Sequence, residues 1–189
     1  MKYASKLAAA FVALTFSTAA LAESHAETGN PMVGGAAMFP TMNIVENAVN
    51  SADHTTLVAA VQAAGLVETL QGPGPFTVFA PVNSAFEALP AGTVETLLRP
   101  ENKDLLVKVL TAHVVAGNWS ASDIARQARA STDGFYHFNA VSGDALSAQV
   151  KGNNLYIYDE SGNASLVTIP DVNQSNGVIH VVNAVLVPK

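Results

Sequence analysis

Five histidines, His25, His54, His113, His137 and His180, offer the most chemistry in a chain that contains no cysteine. An imidazole can act as general base, proton shuttle or metal ligand, and each role needs a partner at set spacing. No two of the five lie three or four residues apart, so no helix face brings a ligand pair together. The chain also lacks a Gly-x-Ser-x-Gly elbow, a His-Glu-x-x-His pair and a phosphate-cradling Gly-x-x-x-x-Gly-Lys-Ser/Thr loop. His137 and His180 read as half-buried strand residues, and His54 as a surface or capping histidine beside the cap candidates Asp53 and Thr55. His113 reads as a hydrogen-bonded residue fixing a helix-to-strand junction, since buried polar groups are normally paired. No catalytic residues and no enzyme activity are expected.

Two stretches invite a metal reading. Met32, Met38 and Met42 with His25 present soft ligands of the kind that suit copper(I), but their spacing is irregular and no thiolate joins them, so packing is the simpler role. Asp171 to Gly177 alternates oxygen donors, yet Asn176 and Val182 stand where a calcium loop needs glycine and glutamate. It reads as a turn that reverses the chain. No metal or other cofactor is expected.

The elements that position these residues follow from pattern. Residues 1–22 form a targeting segment: Lys2 and Lys6, then an apolar run, then Ala20-Leu21-Ala22 ahead of cleavage before Glu23. The product is expected to be secreted or periplasmic, with no membrane insertion after cleavage and a monomeric state. Loss of Lys2 and Lys6 leaves seven basic residues against 15 acidic, a formal charge of −8, which argues against nucleic acid as a partner. With 49% hydrophobic and 13% charged residues, the rest suffices for one well-buried domain without disulfides. Residues 23–42 read as a flexible leader rich in Gly, Pro and Met, and residues 43–188 as the domain.

Within the domain, Asn43–Val49 and Leu57–Ala64 carry helical periodicity, with Gly65 ending the second. Phe76–Ala80 reads as a buried strand introduced by Gly72-Pro73-Gly74-Pro75 and ended by Pro81, after which Asn83 or Ser84 can cap a helical turn. Thr93–Leu98 and Leu105–Thr111 read as helices, His113–Val115 as a strand, and Asn118–Ser122 as the opening of another helix. From Phe135 the pattern turns to β: Phe135–Val141, Ala145–Val150, Leu155–Asp159, Ser165–Ile169, Val178–Val182 and Val185–Val187. Helices early and strands late predict an α+β domain.

Phe-Thr-Val-Phe-Ala-Pro-Val-Asn-Ser-Ala-Phe at 76–86 resembles the first signature stretch of the fasciclin (FAS1) domain, and 176–188, Asn-Gly-Val-Ile-His-Val-Val-Asn-Ala-Val-Leu-Val-Pro, resembles the second. The resemblance spans roughly residues 40–188 and implies a compact β-sandwich or wedge flanked by helices. It further implies cell adhesion or cell-surface association, with a cell-surface or matrix protein or glycan as partner. Asn102-Lys103-Asp104-Leu105-Leu106 is similar to the family's Asn-Lys-Asp-Ile-Leu adhesion motif. His113 matches the histidine of its Tyr-His element, but Ala112 stands in the tyrosine's place. Asn102, Lys103, Asp104, Leu105, Leu106 and His113 are therefore the candidate binding residues. The alternative that the resemblance implies is a carrier of an apolar ligand such as a carotenoid, in a groove between the helices and the sheet.

Overall fold

The computed structural model describes residues 29–189. The targeting segment, its cleavage point and His25 lie outside the described residues. A two-stranded ribbon, β1 (Met32–Val33) and β2 (Ala36–Ala37), precedes six helices: α1 (Ile44–Ala48), α2 (Thr55–Ala64), α3 (Val67–Gln71), α4 (Asn83–Glu87), α5 (Thr93–Leu97) and α6 (Lys103–Thr111). Strand β3 (Phe76–Pro81) interrupts them after α3, and β4 (Val114–Ala116) and α7 (Ala121–Ala130) follow. The chain ends in five strands: β5 (Phe135–Asn139), β6 (Ala145–Lys151), β7 (Asn154–Tyr158), β8 (Ala164–Gln174) and β9 (Gly177–Val182). The α+β expectation holds.

Seven strands form one sheet in the order β4-β3-β9-β8-β7-β6-β5. Only β3 and β9 run parallel, paired from Phe76↔Gly177 to Pro81↔Val182, and the other pairs are antiparallel. The two stretches that carry the family resemblance thus lie side by side at the centre. Both strands are apolar on both faces because both faces are covered. Val78, Ala80, Ile179 and Val181 pack against helices α1 to α6, whereas Phe79 and Val182 join Ile124 of α7 and Leu146, Ala148 and Ile157 of the outer strands. Gly177 has to be glycine, since a Cβ there would sit 2.0 Å from the Phe76 carbonyl oxygen.

Strand β8 shapes the wedge. Its register on β9 shifts twice, between Val167 and Ile169 and again before Val172, and Asp171 there takes a left-handed φ of 57°. Such irregularities bend a strand, so the outer strands turn back over the centre. Phe138 of β5 reaches Phe79 of β3 at 6.2 Å between ring centroids, although the strands lie far apart in sheet order.

Local chemistry explains some helix boundaries and tertiary contacts others. Asn43 and Glu46 form a reciprocal capping box on α1. Asn83, expected to cap its own helix, instead accepts from Thr56 N at 3.0 Å and Thr55 Oγ1 at 3.2 Å, and so caps α2. Tertiary proximity supplies the better-placed donors. Leu106, Val109 and Leu110 form the buried face of α6. Leu106 is 4% exposed, so Leu106→Ala should destabilise by about 3 kcal/mol in urea unfolding. A change within error would remove that face from the core.

Several expectations need correction. Strand β8 runs on through Asp171 to Gln174, so the expected turn shrinks to Ser175-Asn176. Val185–Val187 is not a strand, because Leu186 N donates to the His113 side chain and Val187 N to the Asp159 carboxylate instead of to a ladder. Helix α3 was not visible in the pattern. His54 is buried at 3% exposure at the start of α2, and His180 is buried completely, whereas His137 stands exposed beside Asp133. In the leader, Val33 and Met38 are core residues and Met32 is exposed.

Candidate functional site

The segment Asn102–Leu106 begins at a turn that Pro100 forces, since proline fits the first position of the short 3-10 helix Pro100–Asn102 and cannot continue α5. Asn102 donates its side-chain amide to the Thr96 carbonyl at 2.7 Å, tying the corner to α5. Lys103, Asp104 and Leu105 then stand on the exposed first turn of α6, with Leu105 49% exposed. Asp104 is favourably placed near the positive end of the helix dipole. Lys103 reaches over Gly65, the residue that ends α2. Leu106 turns into the core and anchors the corner.

His113 sits at the other end of α6 and is 2% exposed. Its Nδ1 donates to the Val109 carbonyl at 2.8 Å, and its Nε2 accepts from Leu186 N at 2.9 Å. Burial holds its pKa down to about 4, against the opposing pull of the Val109 carbonyl and the Asp159 charge. The ring is therefore neutral and fully engaged. The structure does not bring His113 and the Asn102–Leu105 corner onto one surface; the accessible candidates are Asn102, Lys103, Asp104 and Leu105.

His180 and His137 are engaged in the same way. His180 donates from Nε2 to the Trp119 carbonyl at 2.8 Å and accepts the Asp171 amide on Nδ1 at 3.1 Å. Burial lowers its pKa too. His137 pairs with Asp133 at 2.8 Å on the surface, and that contact, ahead of the Ser131 hydroxyl, draws the Asp133 carboxyl well below its usual range. These imidazoles staple strands and loops.

The apolar groove expected between the helices and the sheet is present as a cavity of about 290 Å³, whose volume and lining residues no sequence pattern specified. Apolar side chains line it almost throughout, among them Val33, Met38, Leu57, Val61, Val78 and Ile179, and exposed Val49 and Val141 lie on its wall. The apolar helix faces were legible, but periodicity reports only that a face is buried and not whether the space behind it is filled.

The model of the Fasciclin domain matches residues 52–188. This chain belongs to the fasciclin domain family. It is 46% identical over 193 residues to Protein sll1483 of Synechocystis sp., covering 100% of this chain and 99% of that protein. It is 33% identical over 166 residues to the cell surface glycolipoprotein MPB83 of Mycobacterium bovis, covering 85% of this chain and 66% of the relative. A solved FAS1 domain pair from the insect cell adhesion molecule Fasciclin I superposes with a TM-score of 0.68 at 15% identity, over 77% of this chain and 50% of the pair's chain. At that identity the likeness establishes the fold. The central β3–β9 pairing is thus the family's two signature stretches laid edge to edge.

Proposed function

We propose that this fasciclin-domain protein is exported and attaches to a cell-surface or matrix protein or glycan by non-catalytic binding through the exposed Asn102–Leu105 corner. The observation that carries this reading is the rigid display of Lys103, Asp104 and Leu105 on the first turn of α6, with Leu106 locked in the core behind them. A cell surface glycolipoprotein among the relatives and a cell adhesion molecule of the same fold lend it support. Among the described residues no helix is long and apolar enough to cross a membrane. A rigid cluster of one cation, one anion and one apolar side chain suits a partner that offers hydrogen bonds and a small apolar contact. Monomeric protein suffices for it.

Asp104→Ala is expected to weaken binding to immobilised matrix or whole cells by about tenfold while changing stability by under about 0.5 kcal/mol. Loss of binding and melting temperature together would assign Asp104 a structural role and sink the reading.

The cavity favours a second reading, carriage of an apolar small molecule. An enclosed 150 Å³ apolar cavity holds a benzene, so 290 Å³ holds about a dozen non-hydrogen atoms. A carotenoid is too large to be enclosed whole.

A further inference from the structure

One end of the cavity carries a buried polar pair. Ser51 and His54 lie on its wall, 2% and 3% exposed, with Ser51 Oγ and His54 Nδ1 2.9 Å apart. His54 Nε2 is buried and meets no hydrogen-bond partner among the described residues. The Ala80 carbonyl is close enough to oppose the lowering of this histidine's pKa by burial, but it lies outside hydrogen-bonding geometry. A buried ring nitrogen with nothing to bond is costly, and at a ligand cavity it marks where a ligand's polar atom belongs.

The β1–β2 ribbon closes this end. Ala52 N donates to the Gly34 carbonyl at 3.1 Å, and a Cβ on Gly34, whose φ is +56°, would sit 2.3 Å from Ser51 Oγ. The ribbon therefore presses its turn onto Ser51 while Val33 and Met38 face the cavity. The ribbon, the short 3-10 turn Ala52–His54 and α2 form one built pocket end.

Resting on the carriage reading, we infer that this cavity takes a neutral, single-chain apolar molecule of about ten carbons ending in one hydroxyl or carbonyl oxygen, which bonds to His54 Nε2. The chemistry of the wall selects that class. No Lys or Arg lines the cavity among the described residues, so a carboxylate would enter without a counter-charge. A plain hydrocarbon would leave Nε2 unpaired. A hydroxyl serves either ring tautomer, donating when Nδ1 carries the proton toward Ser51 and accepting when Ser51 donates to Nδ1.

The test uses the purified protein, a fluorescent apolar reporter, N-phenyl-1-naphthylamine, and three competitors: 1-decanol, decane and decanoate at pH 7. Decanol should displace the reporter, decanoate should fail to, and the ratio of decanol to decane affinities should fall roughly tenfold in His54→Phe. His54→Gln, which keeps a donor and an acceptor, should retain most of the preference and guards against a folding defect in the first variant. An unchanged ratio in a folded His54→Phe overturns the head-group assignment and leaves apolar carriage standing. Failure of all three competitors, with no reporter uptake, overturns carriage itself and the inference with it. Displacement by decanoate as strong as by decanol overturns the selection for neutral ligands.

Discussion

His113→Ala is expected to lower the unfolding free energy by about 4 kcal/mol, because it removes a fully buried ring and leaves two buried backbone groups unpaired. The Val109 carbonyl and the Leu186 amide have this imidazole as partner, so the last turn of α6 and the C-terminal segment lose their shared tie. Urea unfolding checks it. A loss below about 1 kcal/mol would show that water or rearrangement satisfies both groups.

The same residue should impose an acid limit on the fold. Its folded pKa of about 4 lies below the ordinary 6.5, so between those values the unfolded chain binds the proton and the native state does not. Stability therefore rises with pH across this window, is fully present above about 6.5, and falls as pH drops toward 4, by about 3 kcal/mol in all. His54 and His180, lowered by burial as well, push the same way. The portion due to His113 is the difference between wild-type and His113→Ala stability measured from pH 7.5 to 4. A difference that stays constant over that range would show that His113 does not titrate in this window.

Asn176→Ala carries a comparable expectation, a loss of about 4 kcal/mol. The side chain is 8% exposed and makes three contacts with distant backbone. Its Oδ1 accepts from Ile44 N at 3.0 Å, and its Nδ2 donates to the Leu70 carbonyl at 2.8 Å and the Gly72 carbonyl at 2.9 Å. One amide thus fastens the start of α1 and the end of α3 to the β8–β9 turn. Neither capping nor packing replaces those bonds, so alanine strands one buried donor and two acceptors. Hydrogen exchange gives a local check: the Ile44 amide should lose protection in the variant well before the β3 and β9 amides do. Protection lost equally everywhere would mean that Asn176 supports the whole domain and not the α1–α3 edge.

Asn176 and His113 both act through partners that no local pattern specifies. Asn176 belongs to a stretch whose Asn and Gly content reads as a turn, and a turn it is, though only two residues long. Asn and Gly at a reversal are expected for their own backbone preferences. That the Asn side chain also reaches residues more than a hundred positions away is invisible until the chain has folded. His113 reads from the sequence as a hydrogen-bonded junction residue and is one, but its second partner, Leu186, lies 73 residues away and leaves no local signal.

The sequence by itself determined the α+β class, helices ahead of a run of strands, the buried strand at Phe76–Ala80 and membership of the fasciclin fold. These rest on periodicity, breakers and two long motifs, all of which are local. It also placed Lys103 and Asp104 at the start of α6 and Leu106 in the core, whereas Leu105, whose apolar side chain reads as core too, stands 49% exposed. The tertiary structure alone decided that Leu105 faces outward, that Asn83 caps α2, that His54 and His180 are buried while His137 is not, and that a 290 Å³ cavity ends at an unpaired histidine nitrogen. The reason is physical: burial, pairing and empty space are relations between segments far apart in the chain, set by which faces meet when β3 and β9 come together.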